Sequence, residues 1–145
     1  MTDQRLIYRM EDGYAEALGV AMYMFARLEW NVVWCCERLD KGSVSELQEL
    51  TAGIIRKRLG KLITSVVEDG LREQLMKAAE VFNPLVDLRN DMIHGTPITD
   101  KQFGQCLKGK TGSWSIGRIN QAADSFADCA ILFNSLLHGA LKEPA

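Results

Sequence analysis

The stretch YAEALGVAMYMFARLEWNVVWCCERLD, residues 14–40, decides the fold class that this sequence predicts. Its apolar side chains recur at spacings of three and four residues, at Leu18, Ala21, Phe25, Leu28, Val32, Cys35 and Leu39. An α-helix completes a turn in about 3.6 residues, so side chains at these spacings share one face. The pattern predicts a long amphipathic helix over residues 14 to 40, with that face packed against other helices.

Three further segments repeat the helical period. The second begins at a capping-box pattern, Ser43 to Glu46, and its apolar stripe is Leu47, Thr51, Ile55, Leu59, Leu62 and Val66. The third stops at Gly95 and Pro97, contains Pro84 as a kink or a new start, and carries Leu71, Leu75, Ala78, Phe82, Leu85 and Val86. The fourth carries Ile119, Ala123, Phe126, Ala130, Phe133 and Leu137.

Residues 95–117 form the one irregular region, with glycines at Gly95, Gly104, Gly109, Gly112 and Gly117. A second capping-box pattern, TDKQ at Thr99 to Gln102, favours a short helix near Phe103 and Leu107. No segment shows a convincing period of two, the period typical of strands. The sequence therefore predicts an all-α fold, a four-helix bundle with a loop or short-helix insertion before the last long helix.

Length, charge and cysteine content narrow the class of protein. A chain of 145 residues is the size of one domain, and its 17 Lys and Arg against 19 Asp and Glu exclude a strongly basic domain built around duplex nucleic acid. The N-terminal stretch MTDQRLIYRMEDG has no apolar run, so we expect no signal peptide, and no run is long enough to span a bilayer. The four cysteines show no C-x-x-C spacing, so we expect reduced, mostly buried thiols and a cytoplasmic location.

Several kinds of catalytic and cofactor site have no counterpart in the sequence. A di-iron site in a helical bundle needs E-x-x-H pairs, and none occurs. Two histidines without Cys/His clustering argue against zinc. The stretch GIIRKRLGK does not match the spacing of a phosphate-binding loop. We therefore expect neither a metal nor a cofactor.

The stretch LRNDMIHG, residues 88–95, brings polar groups to the end of the third helix. The apolar stripe of that helix continues onto Arg89, which should therefore face other helices. Asn90 and His94 are four residues apart and share a face. Arg89 and His94 lie about 140° apart around an ideal helix and about 7.5 Å apart along it. They reach one cleft only if Arg89 extends or the helix loosens at Gly95.

These residue types suit the cleavage of RNA. A neutral histidine takes the proton from a ribose 2′-hydroxyl, and the planar donors of arginine match phosphate oxygens and the charge that builds on them. Asparagine orients either group, and no metal is required. The alternative is a charged helix end, since Arg and His near a helix C-terminus are each worth about 0.3–1 kcal/mol. That alternative does not explain Asn90 or an arginine on the core-facing stripe.

The R-N-x-x-x-H block followed by glycine, near the end of the third helix, resembles the HEPN superfamily (higher eukaryotes and prokaryotes nucleotide-binding). The long first helix with RLEW at Arg27 to Trp30 and the loop before a final amphipathic helix are also similar. The resemblance implies one HEPN-like domain over residues 1–145 and a metal-independent endoribonuclease, with a composite site at a homodimer interface. Arg89 would bind phosphate, Asn90 would be the polar second position and His94 the base or acid.

The same resemblance implies a biological setting, because many members of the family are toxins or antiphage effectors paired with a nucleotidyltransferase antitoxin. Some members have no shown nuclease activity. The second hypothesis is therefore a non-catalytic helical dimer that binds a nucleotide or a protein partner.

Other charged residues are weaker candidates. Glu29 lies on a side stripe of the first helix, where it would pair with a partly buried Arg89 or else face solvent. The densest basic cluster is either a solvated helix face or an RNA backbone track, and it consists of Arg56, Lys57, Arg58 and Lys61. The loop after the motif is either a plain surface loop or a cover over substrate with Trp114 stacked on a base, and its cations are Lys101, Lys108 and Lys110.

Overall fold

The computed structural model describes residues 4–143; Met1 to Asp3, Pro144 and Ala145, which the predicted domain includes, lie outside the described residues. A 3-10 turn at Gln4–Leu6 precedes the main elements. The helices are α1 (Tyr14–Leu39), α2 (Ser43–Leu47), α3 (Ala52–Thr64), α4 (Asp69–Ile93) and α5 (Ile116–His138). The strands are β1 (Thr96–Asp100), β2 (Gly104–Gly109) and β3 (Gly112–Trp114).

The all-α prediction is wrong, because the region between α4 and α5 is a sheet. Helices account for 68% of the structure, and the three strands form an antiparallel sheet in the order β1-β2-β3, so the fold is α+β. The TDKQ pattern is a hairpin turn in place of the predicted short helix. Asp100 Oδ1 accepts from the backbone N–H groups of Gln102 at 2.7 Å and Phe103 at 3.1 Å, which closes a turn after β1.

The two hairpin turns depend on glycines that adopt positive φ. Gly104 begins β2 with φ 70°, and Gly112 begins β3 with φ 123°. Other residues rarely adopt these angles because a Cβ clashes with the backbone. The glycines that suggested a loop thus permit two tight turns in a sheet.

The second predicted helix is two helices, α2 and α3, with a break at 48–51. Its predicted capping box is absent, because Ser43 Oγ donates to the carbonyl oxygen of Asp40 at 2.6 Å. The carboxylate that caps α2 belongs to Glu37 near the end of α1, which accepts from the N–H groups of Gly42 at 2.7 Å and Val44 at 2.9 Å. A side chain from the preceding helix thus satisfies donors at the start of the next.

The long helices share one continuous core. α1 and α5 run parallel, since Asn31 Nδ2 donates to the carbonyl oxygen of Ala130 at 2.9 Å and the rings of Phe25 and Phe126 meet edge to face at 5.1 Å. α4 runs the other way, with Phe82 against Phe133 at 5.8 Å. Burial of each such ring contributes roughly 1.5–3 kcal/mol. The C-terminal end of α4 therefore lies level with the first half of α1.

Pro84 lies inside α4 and does not end it, so the helix carries the motif in one piece from Asp69 to Ile93. The sheet is attached to the other end of α1. Tyr14 Oη donates to the carbonyl oxygen of Trp114 at 2.7 Å and accepts from the N–H of Leu107 at 2.9 Å. Over residues 4–143, every helix is too short or too polar to cross a membrane.

Candidate functional site

The last turns of α4 and the sheet enclose a groove of about 950 Å³. This volume lies near the upper end of the roughly 300–1,000 Å³ typical of ligand pockets. The helix contributes Pro84, Asp87, Leu88, Asn90, Asp91 and His94 to its lining. The sheet and its second turn contribute Thr96, Ile98, Lys108, Gly109, Lys110 and Thr111. The groove therefore combines an apolar floor with charged groups on both walls.

Asn90 and His94 lie on the same side of the groove. The N–H of His94 donates to the carbonyl oxygen of Asn90 at 3.0 Å, so the last helical turn is kept up to the cap residue. The imidazole of His94 is exposed, and among residues 4–143 it has no hydrogen-bond or ion-pair partner. It is therefore open to a ligand in the groove.

Arg89 faces the other way, toward α1. Its guanidinium lies over the ring of Phe25, with 5.3 Å between Cζ and the ring centroid, and Arg89 is not part of the groove lining. Nη1 donates to Asn90 Oδ1 at 3.0 Å, and Nε is buried with no hydrogen-bond partner within the described chain. Within one copy of the chain, Arg89 therefore acts on the groove through Asn90 and not directly.

Glu29 is half-buried in α1 and lies near Arg89. Burial raises the pKa of the Glu29 carboxyl, while the positive charge of Arg89 acts in the opposite direction. The two side chains form no ion pair in the part of the chain described. The structure thus places Glu29 beside Arg89 as a through-space neighbour.

Asp91, in the middle of the same motif, has its carboxylate oxygens fully used. Oδ1 accepts from the N–H of Lys110 at 2.7 Å, and Oδ2 accepts from Thr111 Oγ1 at 2.7 Å and Trp114 Nε1 at 3.0 Å. Burial alone would raise the pKa of Asp91, but these hydrogen bonds outweigh it and hold the pKa below its usual value. Gly109 lies so close to this carboxylate that there is no room for a Cβ. Asp91 therefore fastens the β2–β3 turn to α4.

Arg118, in the first turn of α5, completes this attachment. Its guanidinium stacks on the indole of Trp114, 3.8 Å from the ring centroid, and donates to Thr111 Oγ1. Trp114 is 0% exposed, so the idea that it stacks on a base is wrong. The sequence reading overlooked Asp91, Thr111 and Arg118. The available signal was two glycine-containing turns, after Asp100 and after Gly109, each flanked by short segments able to pair as hairpins.

The basic cluster predicted as an RNA track is divided in space. Arg56 Nη1 donates to the carbonyl oxygen of Asn83 at 2.9 Å and to Asp87 Oδ1 at 3.0 Å, whereas Arg58 Nη1 pairs with Glu46 at 2.7 Å. Lys57 and Lys61 are exposed on the face between these two pairs. The two arginines are thus used within the protein, and only the lysines extend freely.

Searches with known proteins returned no match to a family model, to a curated protein or to a solved structure. No group of three His, Cys, Asp or Glu residues between positions 4 and 143 is placed to hold a metal ion. The resemblance to the HEPN superfamily therefore depends on the motif and the helix order, and the chemistry of the groove is inferred from its own side chains.

Proposed function

We propose that this protein is a metal-independent endoribonuclease of the HEPN type, with RNA bound in the groove at the end of α4. One observation carries the proposal: His94 and Asn90 line the same groove, and Asn90 is hydrogen-bonded to Arg89. An open imidazole beside an anchored amide is the arrangement that general acid–base chemistry needs.

The reaction is transesterification at the ribose. His94 takes the proton of the 2′-hydroxyl, and the 2′-oxygen attacks the neighbouring phosphorus. The bond from phosphorus to the 5′-oxygen breaks, and that oxygen receives a proton from an acid, which in a composite site is the partner's His94. The products are a 2′,3′-cyclic phosphate and a 5′-hydroxyl. DNA lacks the 2′-hydroxyl and cannot react in this way.

Arg89 supports this reaction in two ways. Its hydrogen bond to Oδ1 fixes the Asn90 side chain, so that the amide N–H₂ points to the groove side. Its positive charge, held close to the site by Phe25, favours the charge that builds on the phosphate. Glu29 helps to position the guanidinium from α1.

The proposal includes a homodimer, because one copy supplies a single His94 and a two-fold axis supplies a second. Apolar surface near the motif supports such a contact: Ile93 is 40% exposed, and on α1 Trp30 and Tyr23 are 39% and 65% exposed. Sedimentation at micromolar concentration should show a dimer. A monomer would remove the composite site.

We further propose a role as a toxin or antiphage effector with a nucleotidyltransferase-type antitoxin, acting in the cytoplasm. The four cysteines are free and buried, in keeping with a reducing compartment. A nucleotidyltransferase encoded beside this gene would support that role.

Purified protein incubated with mixed RNA tests the function. The wild type should cut RNA with or without EDTA, and His94→Ala should lose about 10²–10⁴-fold in rate. His138→Ala is the matched control, since it is exposed at the end of α5, away from the groove lining. If the folded, dimeric wild type cuts no RNA, the catalytic proposal fails. A helical dimer that binds a nucleotide or protein partner is then the reading that remains.

A further inference from the structure

The sheet wall of the groove carries two lysines, which the sequence placed in a loop. Lys108 lies on β2 opposite Thr96 of β1, and Lys110 follows in the turn. Both side chains are exposed and line the groove. The backbone at Lys110 is held in place, because its N–H donates to Asp91 Oδ1 at 2.7 Å. The two ammonium groups are therefore presented from a fixed backbone.

The carboxylates of the groove do not neutralise these lysines. Asp87 pairs with Arg56 at 3.0 Å, and Asp91 accepts hydrogen bonds from the hairpin and from Trp114. Lys108 acts at longer range on Asp100, whose carboxylate is held mainly by hydrogen bonds from its own turn and from Ser113. Neither lysine forms an ion pair with another of the described residues. Their charge remains available to an anionic ligand.

The phosphate of a substrate needs a cation within the groove. Arg89 does not line it, and the four basic residues of α3 do not line it either. Lys108 and Lys110 are the lining side chains with a permanent positive charge.

We propose that Lys108 and Lys110 bind the backbone phosphates of single-stranded RNA lying in the groove. This inference rests on the proposed function. The floor of Pro84, Leu88 and Ile98 offers an apolar contact to a base, and the lining contains no aromatic ring for stacking. Binding should therefore be mostly electrostatic and tolerant of sequence. Duplex RNA is recognised across a broad surface of about 16 base pairs, which this groove does not provide.

Salt dependence of binding tests the proposal without relying on cleavage. The probe is a short fluorescein-labelled single-stranded RNA of mixed sequence, and the protein carries His94→Ala so that no substrate is lost. Each lost phosphate contact lowers the slope of log K against log salt by about 0.7 for a single strand. Lys108→Gln with Lys110→Gln should lower the slope by about 1.4 and weaken binding on the order of tenfold.

The matched control is Lys57→Gln with Lys61→Gln, which removes the same charge from the exposed face of α3. It should leave the slope nearly unchanged. The proposal is overturned if the α3 pair lowers the slope and the sheet pair does not, if unlabelled duplex RNA competes as well as single-stranded RNA, or if the probe does not bind at all. Because binding is measured on the inactive variant, a wild type that binds but does not cut would refute the nuclease and leave the lysine site standing.

Discussion

Two polar clusters share the last turns of α4, and they differ in how fully their hydrogen bonds are satisfied. The hairpin anchor, defined as Asp91 with its partners in the β2–β3 turn and α5, has every carboxylate oxygen bonded. In the motif face, defined as Arg89, Asn90 and His94, Arg89 Nε is buried without a partner and the imidazole has none in the described chain. Polar groups with all their partners hold a fold together, whereas groups without partners remain available to a ligand.

The comparison also explains why the motif contains Asp91 at all. A buried polar group without a partner costs about 1–3 kcal/mol, so an open site needs a firm surrounding structure. Asp91 supplies it one position after Asn90, by fixing the opposite wall of the groove. The two clusters should therefore respond differently to mutation: the anchor in stability and the motif face in activity.

The largest effect on stability should come from the hairpin anchor. Asp91→Ala leaves Trp114 Nε1 and the Lys110 N–H without their acceptor, and we expect the free energy of unfolding to fall by about 3 kcal/mol. Urea unfolding measures it. Asp87→Ala is the control, since the Asp87 side chain is 70% exposed and its ion pair is worth at most about 1 kcal/mol. Equal losses in the two variants would erase the distinction between the clusters.

The motif face should respond in activity alone. Arg89→Lys keeps the charge but loses the planar donors that hold Asn90, so kcat/KM for RNA cleavage should fall on the order of 100-fold. The urea midpoint should change little. Arg27→Lys, on the exposed side of α1, is the matched control and should cut RNA at the wild-type rate. A loss of stability without a loss of rate would place Arg89 in the fold and not in the site.

Acid should loosen the hairpin anchor before it affects the motif face. The folded pKa of Asp91 is lowered, so its contribution to stability is complete above the unfolded value of about 3.9 and is lost as pH falls through the folded pKa. Asp91→Asn removes that contribution, so its stability should vary less with pH in acid than that of the wild type. Urea midpoints measured across acidic pH test this. Parallel curves for the two proteins would contradict it.

The smallest effect should come from Glu29. Glu29→Gln removes the carboxylate beside Arg89, and we expect cleavage to slow several-fold, by less than in Arg89→Lys. Stability should not fall, because burial has already raised the pKa of Glu29 and the neutral amide avoids the desolvation of a charge. The exposed Glu49→Gln is the comparison and should be silent in both assays. Indistinguishable rates in the two variants would remove Glu29 from the site.

The helices were predictable because burial repeats with their period. The apolar stripe of residues 14–40 gave α1 to within one residue of its end at Leu39, and the stripe that continues onto Arg89 indicated its direction toward α1. Asn90 and His94 share the groove as their spacing of four residues suggests. Local periodicity carries all of this, so no knowledge of distant contacts was needed.

The sheet was not predictable in the same way, because its strands are held by residues far away in the chain. Trp114 bonds to Tyr14, 100 positions earlier, and Asp91 reaches forward 23 positions to Trp114. β3 has three residues, which is too short for a period of two to show. The position of Lys108 in the groove depends on that sheet, so it was readable only from the structure.

The most direct test of the central claim uses an RNA with one 2′-deoxy nucleotide at a mapped cleavage site. If His94 activates the 2′-hydroxyl, the all-ribose RNA is cut to a 2′,3′-cyclic phosphate or its hydrolysis product and a 5′-hydroxyl. The substituted RNA should then resist cleavage at that bond alone. Cleavage of the 2′-deoxy bond at the all-ribose rate, or a product with a 5′-phosphate, would contradict the mechanism.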